Sequence, residues 1–373
     1  MNRFLISVGS LALLASCSGG ESTQVRGGTA DAPDALGSFA VGHTMFNVVD
    51  DSRDERELIV NVWYPVDQVD AVREPLTEYP LQSVFTLASE VAVDDLPVSS
   101  AGPSPFLVFS HGFGGINTQS TQLMEALASH GFIVASPEHT GNTALDDSDP
   151  TPAENRVPDV SLLIDEMLAR SNSMGDRFEG RIDEDRVGVL GHSFGGATAM
   201  GAVAGWSGAD ADPRVKAIGV IAGSVGEGNF SEEVLGAVTE PTILFVGTLD
   251  SSALANHRYA FERMPTAVAL FKVEVAGAYH THFANVCDIG NLLLDDLMIS
   301  QDRWASLGAA ALIGPYNDTC TEDVFPIAEA HRLQNLYMVA HFKRFLMEDD
   351  GYAEYLTADH AIANEPAISF EAQ

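Results

Sequence analysis

The sequence predicts an α/β fold in which a mostly parallel sheet is covered by helices on both faces. Short apolar runs rich in β-branched residues recur along the chain, and several are followed by segments in which apolar residues have helical spacing. This alternation is typical of strands that are buried on both sides. The predicted strands are residues 58–66, 106–110, 132–136, 187–190, 217–222, 242–246 and 267–275, and the predicted helices are 121–129, 160–171, 197–206 and 256–262.

Both ends of the predicted fold differ from this pattern. A polar Asp/Ser/Arg segment separates the runs 41–49 and 58–66, which indicates an antiparallel hairpin. Residues 67–104 contain prolines and little periodicity, so three interpretations stay open: a lid, an excursion near the sheet edge, or a surface loop. The amphipathic stretch 328–346 predicts a terminal helix on the sheet.

The composition limits the number of domains and the kinds of binding partner. The chain has 373 residues, 46% of them hydrophobic, and we expect residues 39–373 to form one domain. The formal charge of −34 repels phosphate backbones, so nucleic acid is not an expected partner. Only three basic residues are lysines, and we interpret the acidic balance as surface chemistry.

The first residues read as an export signal. Met1-Asn2-Arg3 precedes an apolar run, 4–15, that is too short to span a bilayer. The run ends in Leu14-Ala15-Ser16-Cys17, which resembles the lipobox of bacterial lipoproteins. That resemblance implies acylation of Cys17, and Ser18 after it favours the outer membrane. An ordinary signal peptide with an incidental cysteine is the alternative. Residues 18–38 predict a flexible tether, so we expect membrane contact only through the lipid anchor.

A candidate nucleophile follows the strand 187–190. There the chain reads Gly191-His192-Ser193-Phe194-Gly195 and then enters a helix, which is the G-x-S-x-G pattern in its strand–turn–helix context. Such a turn presents the serine hydroxyl above the carboxyl edge of the sheet. The pattern predicts an α/β-hydrolase fold with Ser193 as nucleophile. A merely glycine-rich turn is the alternative.

The serine hydroxyl needs a base, and the base needs a carboxylate to orient it. Asp250 follows the strand 242–246 and His280 follows the strand 267–275, which gives the order serine, acid, histidine. His282 is a rival base, and Asp250 could serve only as a helix N-cap. The His280 and His282 pair would also suit a metal, but the further ligands are not found, and no cofactor is predicted.

Two backbone N–H groups are candidate donors to the oxyanion. Phe194 directly follows the nucleophile, and Phe113 lies in the glycine-rich segment 111–115 after the strand 106–110. A plain glycine-rich turn is the alternative for that segment. Four other histidines are interpreted as loop or turn residues whose rings cap backbone groups: His111, His139, His192 and His257.

Two cysteines remain once Cys17 is set aside. Cys287 and Cys320 belong to a chain expected to fold in an oxidising compartment, which favours a disulfide over two free buried thiols. We expect segment 286–325 either to cap the active site and set acyl size or to pack on its rim.

Three stretches, 109–114, 128–135 and 191–198, resemble the plasma-type platelet-activating-factor acetylhydrolases. Residues 58–65 resemble the bacterial predicted dienelactone hydrolases, and 277–280 resembles the histidine loop of both families. The resemblance implies calcium-independent hydrolysis of esters with short or truncated acyl groups. It also implies that Phe113 and Phe194 are the oxyanion donors.

The sequence departs from these families at two positions. The acetylhydrolases carry their catalytic aspartate after the strand that follows the nucleophile, but that strand here ends in Ala222-Gly223-Ser224-Val225. Asp250 instead resembles the cutinase and polyester-hydrolase arrangement. Those enzymes usually have a tryptophan after the same strand, and none occurs in 217–230, which disfavours polyester degradation. Dienelactone hydrolases use a cysteine where this chain has Ser193.

The sequence therefore predicts a serine carboxylic-ester hydrolase that acts on neutral, short-to-medium acyl esters through an acyl-enzyme. The alternatives are a cutinase or polyester hydrolase, acyl transfer to an acceptor other than water, and a surface-tethered binding lipoprotein on a hydrolase fold.

Overall fold

The computed structural model describes residues 31–70, 75–81, 85–321 and 323–373. The predicted export signal, Cys17 and residues 18–30 of the predicted tether lie outside the described residues. Residues 31–38 are not a free tether, which corrects that prediction at its C-terminal end. Gly37 N–H donates to Ser129 Oγ at 2.8 Å, and His130 Nε2 donates to the Ala35 carbonyl at 3.0 Å.

One twisted sheet contains all eleven strands of the described residues, in the order β11-β10-β9-β8-β7-β5-β6-β2-β1-β4-β3. The strands are β1 (Ala40–Asp50), β2 (Arg56–Val66), β3 (Leu76–Leu81), β4 (Phe85–Asp94), β5 (Ser104–Ser110), β6 (Ile133–Pro137), β7 (Ile182–His192), β8 (Val215–Ile221), β9 (Thr242–Gly247), β10 (Leu270–Val275) and β11 (Ile368–Ala372).

The centre of the sheet is parallel and its edges are antiparallel. Strands β6, β5, β7, β8, β9 and β10 pair in parallel. The hairpin predicted from the polar segment after residue 49 is present, because β1 and β2 pair antiparallel along their whole length. At the other edge β11 pairs antiparallel with β10. The mostly parallel α/β class is confirmed.

Helices cover both faces of the sheet. They are α1 (Thr121–Ser129), α2 (Pro152–Ser171), α3 (Phe194–Ala204), α4 (Glu232–Leu235), α5 (Ser251–Arg263), α6 (Val286–Asn291), α7 (Ile313–Thr319), α8 (Ile327–Leu346) and α9 (Ala358–Asn364). The core has two halves, with α1 and α8 packed on one face and α2, α3 and α5 on the other. No helix in the described ranges is long and apolar enough to cross a membrane.

The burial of the central strand β5 shows that both faces of the sheet are covered. All seven of its residues are buried. Phe106 and Val108 belong to the half of the core under α2 and α3, whereas Leu107 and Phe109 belong to the half under α1 and α8. Side chains alternate along a strand, so only a strand with both faces covered can be buried at every position.

Within residues 67–104, two further strands, β3 and β4, extend the sheet near its edge, so the surface-loop interpretation is wrong for those strands. Strand β4 pairs in parallel with β1 and antiparallel with β3. In β3 buried and more exposed positions alternate, but the buried Thr77 and the exposed Leu76 obscure this alternation in the sequence. The burial pattern of β4 is less regular. The excursion near the sheet edge is the interpretation that holds.

Neighbouring strands β5 and β7 run in parallel, but α1, β6 and α2 separate them in the chain. The helix after β5 packs on one face of the sheet and the helix after β7 packs on the other. The loops at the carboxyl ends of β5 and β7 therefore part and leave a crevice, which is where open α/β sheets bind ligands.

Candidate active site

Ser193 lies at the tip of a sharp turn between β7 and α3. Its φ is 58° and its ψ is −115°, in a region that residues with a side chain rarely adopt. The turn can be this tight because the residues two positions before and after Ser193 are glycines, which have no Cβ. A Cβ at Gly191 would lie 2.2 Å from the Gly195 carbonyl oxygen, and one at Gly195 would lie 1.8 Å from that of Ser110. The strained turn directs Ser193 into the crevice.

Asp250 and His280 meet after the strands predicted to carry them. His280 Nδ1 lies 2.5 Å from Asp250 Oδ2, and the other carboxylate oxygen accepts from the Ala253 N–H at 3.0 Å as the N-cap of α5. Asp250 therefore has both predicted roles, contact with His280 and helix capping. Burial opposes ionisation, but the bonds from His280 and Ala253 N–H outweigh it and lower the pKa of Asp250.

His282 is not available as a base. It is fully buried, its Nδ1 accepts from the Tyr279 N–H at 3.0 Å, and its Nε2 donates to the Phe325 carbonyl at 2.9 Å. The His280 side chain, in contrast, is 40% exposed at the crevice. Both ring nitrogens of His282 thus support the backbone of the histidine loop.

The two residues that carry the candidate oxyanion donors, Phe113 and Phe194, contact each other through their side chains near Ser193. The rings of Phe113 and Phe194 pack edge to face with centroids 5.6 Å apart, and Phe113 lines the crevice. Within the described part of the chain, neither backbone N–H donates a hydrogen bond to protein. Both donors are therefore available to a ligand oxygen.

Gln119 and His192 tie the loop after β5 to the histidine loop. Gly112 N–H donates to Gln119 Oε1 at 3.0 Å, Gln119 Nε2 donates to His192 Nδ1 at 2.8 Å, and His192 Nε2 donates to the His280 carbonyl at 2.9 Å. Burial, with a smaller contribution from His280, lowers the pKa of His192 to about 3. The ring stays neutral and can accept at one nitrogen while donating at the other.

The other three histidines interpreted as backbone caps have two different roles. His257 accepts from the Gly223 N–H at 2.8 Å, and His111 donates to the Gly112 carbonyl at 2.7 Å, as interpreted. His139 differs because its ring bonds to the side chains of Ser110 and Asp159, at 2.9 and 2.8 Å.

Around Ser193 and His280 lies an apolar cleft of about 530 Å³. None of the described residues that line it is Asp, Glu, Lys or Arg, although the chain as a whole carries a formal charge of −34. One wall comes from the segment after His280, including Val286, Ile289 and Leu312, and another from Leu81 and Phe85 at the β3–β4 end. The cleft therefore suits a neutral, apolar group.

A disulfide joins the two ends of the first wall. Cys287 lies in α6 and Cys320 follows α7, and their sulfur atoms are bonded with Cα atoms 5.4 Å apart. Between them the chain makes short helical turns whose apolar side chains face the cleft. The geometry of segment 286–320 is that of a wall over the site.

Three contributors to this site were not predicted from the sequence: Gln119, Arg156 and the β3–β4 end. Gln119 lies shortly before a predicted helix, and no local pattern distinguishes it from a surface glutamine. Arg156 contacts the loop after β5 from a different helix, so only the tertiary structure reveals it.

The fold is that of an α/β-hydrolase, and its crevice is lined by a serine and a histidine, with an aspartate bonded to the histidine. The chain belongs to the PET hydrolase-like family, whose model matches residues 96–301. The position of Asp250 resembles the arrangement in this same group, the cutinases and polyester hydrolases.

Relatives in two groups of ester hydrolases support this assignment. Cutinase 2 of Thermobifida cellulosilytica is 29% identical over 180 residues, covering 48% of this chain and 60% of the cutinase. Platelet-activating factor acetylhydrolase of Canis lupus familiaris is 30% identical over 148 residues, covering 29% of this chain and 33% of that protein. The match thus spans three fifths or less of these relatives.

A solved structure agrees on the fold. The ferulic acid esterase from Streptomyces cinnamoneus superposes with a TM-score of 0.63 over 89% of this chain and 96% of that one, at 22% sequence identity. The predicted α/β-hydrolase fold and the resemblance to acetylhydrolases and cutinases are confirmed.

Proposed function

We propose that the chain is a serine carboxylic-ester hydrolase in which Ser193 is the nucleophile, His280 the base and Asp250 the acid. The observation that carries the proposal is one cleft lined by both Ser193 and His280, with Asp250 bonded to the far side of the imidazole. A carboxylate at that position fixes the tautomer in which Nε2 can accept a proton.

The reaction has two halves. The Ser193 hydroxyl proton moves to His280 as Oγ bonds to the ester carbonyl carbon and the carbonyl π pair moves onto oxygen. The resulting oxyanion accepts hydrogen bonds from the Phe113 and Phe194 N–H groups. When the intermediate collapses, the alcohol leaves with the proton from His280. Water then attacks the acyl-enzyme in the same way and releases the acid.

The substrates that we propose are neutral esters with short-to-medium acyl groups. An uncharged, apolar cleft favours such groups because burial of apolar surface is its main source of affinity. We further propose that segment 286–320, held by its disulfide, caps this cleft and limits acyl length.

Hydrolysis of p-nitrophenyl esters from acetyl to palmitoyl tests this function. We expect rates that peak at short-to-medium chains and disappear in Ser193→Ala. Ser173→Ala, on an exposed serine after α2, is the matched control and should keep the parent rate. A folded parent without activity on any ester would instead favour a binding protein on a hydrolase fold.

Polyester hydrolysis is a second candidate, favoured by the family match and by the cutinase relatives. Incubation with amorphous poly(ethylene terephthalate) film and chromatography of the released aromatic acids tests it. Release that depends on Ser193 would support this candidate. Release at the level of Ser193→Ala would exclude it.

We also propose that the protein is exported and anchored by acylated Cys17. The proposal rests on the basic start, the apolar run 4–15 and the Leu14-Ala15-Ser16-Cys17 pattern. Cys17→Ser should abolish lipid labelling and release the protein from the membrane fraction. A variant that is processed and fractionated like the parent would contradict the anchor.

A further inference from the structure

Arg156 is a fully buried arginine directly beneath the loop that carries Phe113. Its guanidinium donates to neutral oxygens: the carbonyls of His111 and Gly112 at 2.5 and 3.0 Å, Ser110 Oγ at 3.2 Å and Asn142 Oδ1 at 2.5 Å. A buried guanidinium ordinarily has a carboxylate partner, because removing its charge from water is costly.

The carboxylate whose charge acts most strongly on Arg156, that of Asp159, is engaged with other residues. Asp159 receives two bonds of 2.8 Å from Arg56 and one of 2.8 Å from His139, and it also pairs with Arg53. In the part of the chain that the structure describes, Arg156 forms no ion pair. The Asp159 charge therefore acts on Arg156 only through space, and the direct partners of the guanidinium are neutral oxygens, among them two carbonyls of the loop after β5.

One of those carbonyls belongs to a candidate oxyanion donor. The Gly112 carbonyl and the Phe113 N–H are the two ends of a single peptide group. That carbonyl accepts from Arg156 Nη2 at 3.0 Å and from His111 Nδ1 at 2.7 Å. Donors at the oxygen of an amide fix its plane and make its N–H a stronger donor. The Arg156 guanidinium carbon also lies 5.1 Å from the centre of the Phe194 ring, beside the second donor.

A buried chain of bonds holds Arg156 in place. Arg156 Nη1 donates to Ser110 Oγ, the Ser110 hydroxyl donates to His139 Nε2 at 2.9 Å, and His139 Nδ1 donates to Asp159. Burial and the charge of Arg156 lower the pKa of His139 to about 4, so the ring is neutral and can accept. Ser110, His139 and Asp159 are fully buried and cannot meet a substrate, unlike Ser193.

We propose that Arg156 is a positioning residue for the oxyanion hole. It fixes the Gly112–Phe113 peptide group with its N–H available to the cleft, and its buried charge favours the negative oxygen of the tetrahedral intermediate. This inference rests on the proposed function. It predicts an effect on the transition state and little effect on substrate binding.

Two substitutions test the two parts of this role. Arg156→Lys keeps the charge but lacks the planar fork that reaches several acceptors at once. Asn142→Asp has nearly the same shape and puts a carboxylate against the guanidinium, which offsets the charge without opening a cavity. With p-nitrophenyl butyrate we expect kcat to fall about 10- to 100-fold in each variant, less than the loss of an oxyanion donor itself. KM should change by less than about threefold.

An inhibitor that mimics the transition state separates this role from a structural one. Affinity for an alkyl boronic acid, which forms a tetrahedral anion on the nucleophilic serine, should fall in parallel with kcat. Arg170→Lys, on the same helix but paired with Glu166, is the control and should keep the parent values.

The outcomes are distinct. A folded Asn142→Asp protein that keeps the parent kcat and boronate affinity overturns the role of the charge. Asn142→Asp tests the inference even if Arg156→Lys does not fold. A rise in KM with kcat unchanged also overturns the inference. A parent protein that neither hydrolyses esters nor binds the boronate would contradict the proposed function instead.

Discussion

The two contacts of Asp250 allow one side chain to serve both the proposed catalysis and folding. One carboxylate oxygen contacts His280 Nδ1 and the other caps α5 through the Ala253 N–H. The two functions can be separated, because an asparagine keeps a capping oxygen but loses the negative charge. A capping aspartate at the carboxyl end of a strand thus fixes the base relative to the sheet.

Asp250→Asn should lower kcat by about four orders of magnitude, because the amide cannot stabilise the charged imidazole and favours the wrong tautomer. Its free energy of unfolding should stay close to that of the parent. In Asp250→Ala, kcat should fall by a similar factor. The free energy of unfolding should also fall by ~1 kcal/mol, because the helix cap is missing. Ester hydrolysis and urea unfolding measure the two effects. A kcat within tenfold of the parent in Asp250→Asn would contradict the role of Asp250.

At the residue scale, local patterns in the sequence were enough to predict that Ser193, Asp250 and His280 lie at one edge of the sheet, where the structure brings them together. Each follows a recognisable strand, and parallel strands end at one edge of the sheet. Arg156 and Gln119 could not be found in this way. Their partners lie on other elements, so the contacts exist only after α2 and the loop after β5 have packed together.

At the scale of elements, the central strands and the hairpin were predictable because their apolar runs are continuous or bounded by polar turns. Strands β3 and β4 were not, since the edge strand β3 and its neighbour β4 each have exposed positions and carry mixed side chains. Strand β11 is five residues long and has a single buried residue, so its sequence gives almost no signal. These weak edge elements still matter, because Leu81 and Phe85 line the cleft.

The wall 286–320 supplies a test at this scale. Replacing both Cys287 and Cys320 by serine removes a link across 33 residues and should lower the free energy of unfolding by ~3 kcal/mol, since the unfolded chain gains freedom. If the wall limits acyl length, the variant should also hydrolyse longer p-nitrophenyl esters relative to butyrate. The parent protein treated with dithiothreitol should show the same two changes, in the free energy of unfolding and in the chain-length profile. An unchanged chain-length profile in the variant would contradict the proposed cap.

At the scale of the whole molecule, buried histidines make folding sensitive to acid. Burial lowers their pKa values to about 4 for His139 and His331 and to about 3 for His192, His257 and His341. In the unfolded chain these rings bind protons near pH 6.5. Below that pH the unfolded state binds more protons, so stability falls as pH falls. Glu125, whose pKa burial raises, acts in the opposite direction.

His341 offers a test of this sensitivity away from the cleft, because its ring packs against Phe271 and Phe345. Between pH 6 and 4 the free energy of unfolding of the parent should fall with decreasing pH. In His341→Gln that slope should be shallower by up to ~1.4 kcal/mol per pH unit, the contribution of one proton. Urea unfolding at several pH values measures it. Parallel pH profiles for the two proteins would contradict a neutral, buried His341.

The central claim is that Ser193 is an activated nucleophile, and covalent labelling tests it most directly. The purified protein would be treated with a fluorophosphonate, followed by intact mass measurement and peptide mapping. We expect one adduct per chain, located on Ser193, with no adduct in Ser193→Ala and greatly slowed labelling in His280→Ala. A folded parent that remains unlabelled, or an adduct on another serine, would contradict the account.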